Sequence, residues 1–187
     1  FARLLAEKNG DTISTAANTK FADIPAHAWY SGYVKYLANN GITYGKSKTI
    51  FAPNDAITRA EFTTMAVRFF DVYGDGDAEI MEQFSGFNDV SSGYWAAEYI
   101  KYAALHGWIN GYGDGSFHAD REINRAEVVT IVNRLLGREA DEDYIADNLR
   151  KLNTFPDVTK RHWAYYAVME AANAHTAVLG ENESWSK

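Results

Sequence analysis

The sequence contains no cysteine among its 187 residues. Disulfide frameworks, cysteine metal ligands and cysteine nucleophiles are therefore excluded. This absence fits an exported bacterial protein as well as a cytosolic one, so location must come from other features. No apolar run approaches the roughly 18 residues that a membrane-spanning helix needs, and no signal sequence is recognisable at the start. We therefore expect no membrane insertion.

The chain also lacks a basic excess, because its formal net charge is −7. Non-specific binding to nucleic acid or to an anionic membrane surface needs such an excess and is not expected. A local cationic site remains compatible with this charge. Aromatic residues are abundant, with 12 Tyr, 10 Phe and 5 Trp. They can fill a core or stack on sugar rings, and composition does not distinguish the two uses.

An internal repeat organises the sequence. Three copies of the pattern Phe-x-Asp-Ile/Val begin at Phe21, Phe87 and Phe155, which are 66 and 68 residues apart. Each copy is followed eight residues later by a tryptophan: Trp29, Trp95 and Trp163. The offset of 66 then holds without a gap for about 40 residues of the first two copies.

Each repeat is predicted to consist of two helices. After each tryptophan the apolar residues follow the i, i+3, i+4, i+7 spacing of one helical face, which indicates a first helix of about a dozen residues. Thr58-x-x-Glu61 and Asn124-x-x-Glu127 have the form of capping boxes and precede periodic apolar runs, so they predict the start of the second helix. The third copy ends after its first helix.

The first residues have the pattern of a second helix without its repeat. Phe1, Leu4 and Leu5 fit the apolar template of that helix, so we expect the chain to begin inside a larger polypeptide. By packing where the third copy lacks a second helix, this segment would close a pseudo-threefold assembly. The resulting division is a second helix and linker at 1–20, a repeat at 21–74, a linker at 75–86, a repeat at 87–137, a linker with a short helix at 138–154 and a partial repeat at 155–187.

These elements together resemble the S-layer homology family. The resemblance is carried by the Phe-x-Asp-Ile/Val pattern with its tryptophan, by the Gly-Tyr-Gly-Asp-Gly-Ser-Phe run at 111–117 and by the Ile-Thr-Arg-Ala-Glu element at 57–61. It covers nearly the whole chain, with two complete copies and a partial third. Asn124 stands where the family usually has Thr, and both residues cap helices well.

The resemblance implies an all-α fold, in which the repeats form a pseudo-threefold, three-prong spindle around a central helix bundle. It also implies non-covalent binding of cell-wall polysaccharide, often pyruvylated, or of modified peptidoglycan, in grooves between repeats. The third copy has no Thr-Arg-Ala-Glu element, so at most two of three grooves can carry the family's arginine. The implied location is extracellular, at the bacterial cell wall or S-layer.

Arg59 and Arg125 are the main candidates for glycan binding. Each falls at the first position of a helix, where the macrodipole disfavours a cation by roughly 0.3–1 kcal/mol. The unpaired backbone N–H groups of that end, together with a guanidinium, would bind a carboxylate such as that of a pyruvyl ketal. The alternative is that each arginine pairs with an Asp or Glu of a neighbouring repeat.

Further glycan-binding candidates lie in the loops of the repeats. Tyr44, Asn110 and Tyr112 follow the first helices and are placed to line a groove, although loop aromatics can also cover the edge of a core. Gly45 and Gly111 permit a tight turn or a close approach of ligand to backbone, and the turn alone would explain them. Trp163 is included as a stacking candidate, while for the three tryptophans in general packing is the favoured interpretation.

Catalysis and metal binding are not expected. Glu61 and Glu127 are explained as capping-box partners, and no second carboxylate repeats at a catalytic spacing. The five histidines do not cluster, and no cofactor is predicted. Residues 71–82 match part of a calcium loop, with Tyr73 at a ligand position, so a solvated acidic connector is favoured over a calcium site. The calcium candidates are Asp71, Asp75, Asp77 and Glu82.

The sequence therefore predicts a non-catalytic module that anchors a surface protein to the cell wall by binding an anionic glycan. A second hypothesis is a structural module whose grooves serve self-association or other protein contacts in a surface lattice. An enzyme acting on wall glycan is the third and weakest, because no catalytic pair is found.

Overall fold

A computed structural model of the protein describes residues 1–74, 84–178 and 184–186. These residues are mostly helical. The helices are α1 (Ala2–Asn9), α2 (Ser31–Asn39), α3 (Arg59–Tyr73), α4 (Ala97–Leu105), α5 (Arg125–Leu135), α6 (Glu142–Asn148) and α7 (Tyr165–Ala172), with a 3-10 turn at Leu149–Lys151. Two short strands, β1 (Thr176–Val178) and β2 (Ser184–Ser186), pair antiparallel near the C-terminus.

The helices fall where the repeat pattern predicts them. First helices are α2, α4 and α7, and second helices are α3 and α5, with α1 matching the isolated second helix at the start. The short helix predicted in the second linker is α6. The two strands were not predicted, so the fold is mostly helical rather than wholly so. The first linker lies largely outside the described residues.

Both second helices begin with the predicted capping boxes. The Thr58 hydroxyl accepts a hydrogen bond from the Glu61 N–H at 3.2 Å, and the Glu61 carboxylate accepts one from the Thr58 N–H at 3.0 Å. At α5 the corresponding distances between Asn124 and Glu127 are 2.9 and 3.0 Å. Each box satisfies backbone donors that the first turn of a helix otherwise leaves unpaired.

The repeats pack in series through one shared core. The second helix of one repeat packs on the first helix of the next: α1 on α2, α3 on α4 and α5 on α7. In addition, α3 contacts both α1 and α5. The fully buried side chains Leu5, Phe69 and Ile100 belong to one apolar cluster that runs through α1, α3, α4 and α5. The complete repeats are therefore parts of one folded unit.

The partial third repeat has a small core of its own. Ile145 of α6, Tyr165 and Met169 of α7 and Trp185 of β2 are buried against one another. Asp141 links these elements, because its carboxylate accepts hydrogen bonds from the Tyr144 N–H at 2.8 Å and the Trp185 N–H at 3.0 Å. The third copy has no second helix among the described residues. The linker helix and the strand pair thus bury the apolar side chains of α7 instead.

The aspartate of the Phe-x-Asp pattern holds the loop before the second helix. Asp23 accepts hydrogen bonds from the N–H groups of Phe51 at 2.9 Å and Ala52 at 2.6 Å. Asp89 accepts them from Phe117 and His118, both at 2.7 Å. Ala52 and His118 have left-handed φ angles of 62° and 55°, which are uncommon for residues with a side chain. The aspartates therefore stabilise a strained turn.

Gly45 and Gly111 are required by the packing of the same loops. A Cβ at Gly111 would lie 2.4 Å from Cε1 of Phe87 and 2.6 Å from the Ser116 carbonyl oxygen. A Cβ at Gly45 would meet Phe21 and the Ile50 carbonyl, both at 2.5 Å, and the φ of Gly45 is 76°. The close approach is thus to the phenylalanine of the repeat pattern.

Replacing Gly111 with Ala is expected to destabilise the fold by about 1–3 kcal/mol, the usual cost of overpacking. The matched control is Gly113→Ala in the same loop, where a Cβ would meet nothing within 4 Å. Urea unfolding of both variants measures the difference. Equal urea midpoints for the two variants would show that close packing against Phe87 does not require a glycine at position 111.

Acid should weaken the fold through the two pattern aspartates. The hydrogen bond from the Phe51 N–H lowers the pKa of Asp23. At Asp89 partial burial raises the pKa, but the hydrogen bonds from Phe117 and His118 outweigh it and the pKa is lowered. Because the folded-state pKa lies below the unfolded one, this stabilisation is complete above about pH 4 and is lost as pH falls further.

The double variant Asp23→Asn with Asp89→Asn should melt below the wild type at pH 7, and the gap should narrow as pH falls below about 4. Thermal melts from pH 7 to pH 2.5 test this. Asp147→Asn, at an exposed position, serves as the control and should follow the wild type throughout. A gap that stays constant with pH would contradict the assignment.

Candidate functional site

A groove of about 480 Å³ lies where the three repeats meet, and we call it the Arg134 groove. Its floor comes from the loop and second helix of the second repeat. The first repeat contributes Arg59 and the third contributes Trp163. The polar lining residues include Arg59, Asn110, Tyr112, Arg121, Glu127 and Arg134.

A second groove, of about 540 Å³, lies between the first and second repeats, and we call it the Arg68 groove. Its lining includes Tyr44, Lys46, Asp55, Glu61, Arg68 and Trp95. The repeat offset relates the two grooves position by position. The corresponding pairs are Tyr44 and Asn110, Gly45 and Gly111, Glu61 and Glu127, Arg68 and Arg134, and Trp95 and Trp163.

Most of the residues predicted to bind glycan line one of these grooves. Tyr44 and Gly45 line the Arg68 groove. Those in the Arg134 groove are Arg59, Asn110, Gly111, Tyr112 and Trp163. Arg125 lines neither groove. The structure therefore brings the candidates together, while their role in binding remains a prediction.

Arg59 is held inside the protein and is not an uncancelled cation. Its side chain is 7% exposed, and its Nη1 pairs with Oε1 of Glu127 at 2.8 Å. Its Nε donates to the Phe117 carbonyl at 2.9 Å and its Nη2 to the Asn110 carbonyl at 3.3 Å. The expectation of a guanidinium without a neighbouring acid is therefore wrong here. The alternative, an ion pair with the neighbouring repeat, is what the structure contains.

The start of α3 does not offer free amides to a ligand either. The Arg59 N–H donates to the Arg121 carbonyl and the Ala60 N–H to the Ala119 carbonyl, both at 2.9 Å. Thr58 also forms a β-bridge with Glu122. The prediction that this helix end binds an anion through unpaired N–H groups is therefore wrong for α3, because the next repeat occupies them.

Arg125, the counterpart of Arg59 in the second repeat, is exposed. It forms no ion pair or side-chain hydrogen bond with any residue in the described part of the chain. The two arginines therefore occupy the same position at the start of a helix in different environments. Arg59 is buried and links two repeats, whereas Arg125 is exposed to solvent.

Glu127 is the central acid of the Arg134 groove. Besides closing the cap of α5, its Oε1 pairs with Arg59, accepts a short hydrogen bond from Nη2 of Arg121 and accepts another from the Tyr112 hydroxyl at 3.2 Å. Glu61 in the other groove pairs only with Lys46 in addition to its cap. Each carboxylate is engaged in structural contacts, as the capping-box interpretation predicts.

The three repeat tryptophans are exposed, so the favoured interpretation, packing in the core or between repeats, is wrong. Exposed fractions are 77% for Trp29, 56% for Trp95 and 64% for Trp163. Trp95 and Trp163 stand at the edges of the two grooves. They are available as flat surfaces for a sugar ring.

Sequence reasoning missed Arg68 and Arg134. Both lie within predicted second helices, 66 residues apart, and line the corresponding grooves. The same repeat offset that identified Arg59 and Arg125 would have found them. Both lie away from the starts of their helices, where the macrodipole makes an arginine unusual.

The calcium hypothesis is only partly within the described residues. Asp71 lies exposed in α3, whereas Asp75, Asp77 and Glu82 lie outside the described part of the chain. Within residues 1–74, 84–178 and 184–186, no group of three or more acidic or histidine side chains is arranged to hold a metal ion. Among the described helices, none combines the length and apolar character of a membrane span.

Comparison with protein families assigns the repeats. The S-layer homology domain matches residues 20–63 and 86–129. These ranges contain the Phe-x-Asp pattern, the exposed tryptophan, the loop and the capped start of the second helix in both complete copies. The chain therefore belongs to the S-layer homology family and contains two of its domains.

Several relatives have names that describe surface or anchoring proteins. The chain is 30% identical over 191 residues to "Cell surface glycoprotein 1" of Acetivibrio thermocellus, covering 98% of this chain and 8% of that protein. It is 29% identical over 184 residues to the "Cellulosome-anchoring protein" of the same species, covering 97% and 38% respectively. It is 29% identical over 131 residues to "Surface-layer 125 kDa protein" of Lysinibacillus sphaericus, covering 68% and 11%. The chain thus spans well under half the length of each relative.

Substitution of the two helix-start arginines should have unequal effects on stability. Arg59→Ala leaves Glu127 without its buried partner and is expected to cost about 3–5 kcal/mol in the free energy of unfolding. Arg125→Ala, at the equivalent exposed position, should stay within about 0.5 kcal/mol of the wild type. Denaturant unfolding compares them, and equal losses would contradict the structural role of Arg59.

Proposed function

We propose that the chain anchors a surface protein non-covalently to the bacterial cell wall, by binding an anionic wall polysaccharide in the grooves between repeats. A pyruvylated polysaccharide is the ligand we favour, because a ketal carboxylate suits a guanidinium-lined groove. Membership of the S-layer homology family supports an extracellular location and wall attachment. The names of the relatives, which include an anchoring protein, support the same role.

One observation carries the proposal: the Arg134 groove collects positive charge in a chain of net charge −7. Three arginines line it together with a single glutamate. Long-range electrostatics would repel an anionic polymer from most of such a surface, so a cationic groove is the place where it can bind. The exposed ring of Trp163 at the edge adds an apolar face for a sugar ring.

We also propose that the chain itself is not an enzyme and that its repeats form part of a three-prong spindle. Glu61 and Glu127, the glutamates that line the two grooves, both take part in caps and ion pairs. Serial packing of second helices on the following first helices supports a spindle, since it places each groove at a repeat junction.

Sedimentation with purified bacterial walls tests the function. The chain should bind intact walls and lose binding after the secondary polysaccharide is chemically extracted. Trp163→Ala should lower affinity for intact walls about tenfold, as truncation of an aromatic hot spot does. Trp29→Ala is the matched control, because Trp29 is also exposed and lines neither groove. This variant should bind as the wild type does.

Several results would count against this function. Binding that survives extraction of the polysaccharide would favour peptidoglycan or a protein partner. Self-association without wall binding would favour the surface-lattice role. Release of reducing ends from wall material would indicate an enzyme.

A further inference from the structure

Arg68 and Arg134 occupy equivalent positions, yet only one of them is enclosed. The Arg68 guanidinium carbon lies 4.5 Å from the centroid of the Tyr44 ring and 5.0 Å from that of Tyr99. Its Nη2 also donates to the Tyr99 hydroxyl at 3.3 Å. Two aromatic faces and a hydroxyl of the protein therefore contact this cation.

Arg134 lacks both of these rings. The repeat offset replaces Tyr44 with Asn110, and the offset to the third copy replaces Tyr99 with Ala167. The Asn110 amide oxygen, with its nitrogen turned towards the Ile109 carbonyl, accepts from Nη1 of Arg134 at 3.3 Å. Arg134 forms no ion pair with any residue that the structure describes. Its guanidinium faces the groove with most of its donors unused.

The formal charges of the lining residues also differ between the two grooves. The lining of the Arg68 groove has one lysine and one arginine against two carboxylates, so its formal charges cancel. The Arg134 groove has three arginines against one glutamate, and that glutamate is shared by Arg59 and Arg121. The lining of the Arg134 groove therefore has a formal surplus of two positive charges, which favours a bound anion.

From this difference we propose that the two grooves bind different sugar units of one polymer. The Arg134 groove binds the acidic unit, with the Arg134 guanidinium holding its carboxylate, and the Arg68 groove binds an uncharged unit. This inference rests on the proposed wall-binding function and assigns the substrate class of each groove. Arg59 belongs to the Ile-Thr-Arg-Ala-Glu element of the family pattern, and here its side chain lines the groove.

Two probes that differ in charge and by one methyl group, compared in the wild type and in matched variants, separate charge from fit. One is a methyl hexopyranoside carrying a 4,6-O-pyruvyl ketal, and the other is the methyl ester of that ketal, which has no charge. Titration calorimetry gives the affinity for each. The wild type should prefer the acid by about 10- to 100-fold, the range for hydrogen bonds to a charged group.

Matched variants locate that preference. Arg134→Gln should abolish the preference for the acid, because its affinity for the acid falls by more than its affinity for the ester, a pattern that misfolding would not produce. Arg134→Lys should keep part of the preference, because lysine retains the charge but not the planar fork. Arg68→Gln, the equivalent change in the other groove, should keep the full preference.

Fluorine NMR of the 5-fluorotryptophan-labelled chain shows which groove is occupied. The acid should shift the Trp163 resonance before that of Trp95, with assignments from single Trp→Phe variants. An unchanged preference in Arg134→Gln, an equal loss in Arg68→Gln or a first shift at Trp95 would overturn the inference.

These failures are separable from failure of the proposed function. A chain that binds walls and ketal while Arg134→Gln behaves as the wild type refutes only the groove assignment. A chain that binds neither walls nor either probe refutes both.

Discussion

The buried ion pair between Arg59 and Glu127 is the contact on which the arrangement of the repeats depends. It joins the start of α3 in the first repeat to the start of α5 in the second, and both side chains are at most 10% exposed. The same glutamate closes the cap of α5, and the same arginine bonds two loop carbonyls. Removing Glu127 would leave the buried Arg59 guanidinium without a counter-charge, and removing Arg59 would leave Glu127 with the more exposed Arg121 as its ion-pair partner. Loss of a buried partner costs more than loss of a surface pair. This contact also builds one wall of the Arg134 groove.

The two complete repeats share the contacts that hold their backbone and differ in the residues that line their grooves. Both have the capping box, the aspartate that holds the loop amides and the glycine that accommodates a phenylalanine. The positions that face the grooves differ between the repeats. For example, Tyr44 of the first repeat corresponds to Asn110 of the second. Backbone requirements therefore account for the conserved part of the pattern. The groove residues remain free to set which sugar unit each site accepts.

The sequence predicted the helices well because their signals are local. Capping boxes and apolar periodicity depend on neighbours within a turn or two, so the starts of α3 and α5 were correctly placed. The state of Arg59 was not predictable in this way, because its partner Glu127 is 68 residues distant and is reached only through the packing of repeats. The outward direction of the tryptophans and the strand pair at Thr176–Val178 likewise depend on tertiary contacts. The presence of grooves between repeats was predicted from the resemblance to a family. Only the structure showed that Arg68 is enclosed by aromatic rings and that Arg134 is open.

A crystal structure of the chain with a fragment of its wall polysaccharide would test the central claim most directly. The account predicts a carboxylate oxygen of the glycan within hydrogen-bond distance of the Arg134 guanidinium, with a sugar ring against Trp163. Polysaccharide bound elsewhere on the surface, with both grooves unoccupied, would contradict it.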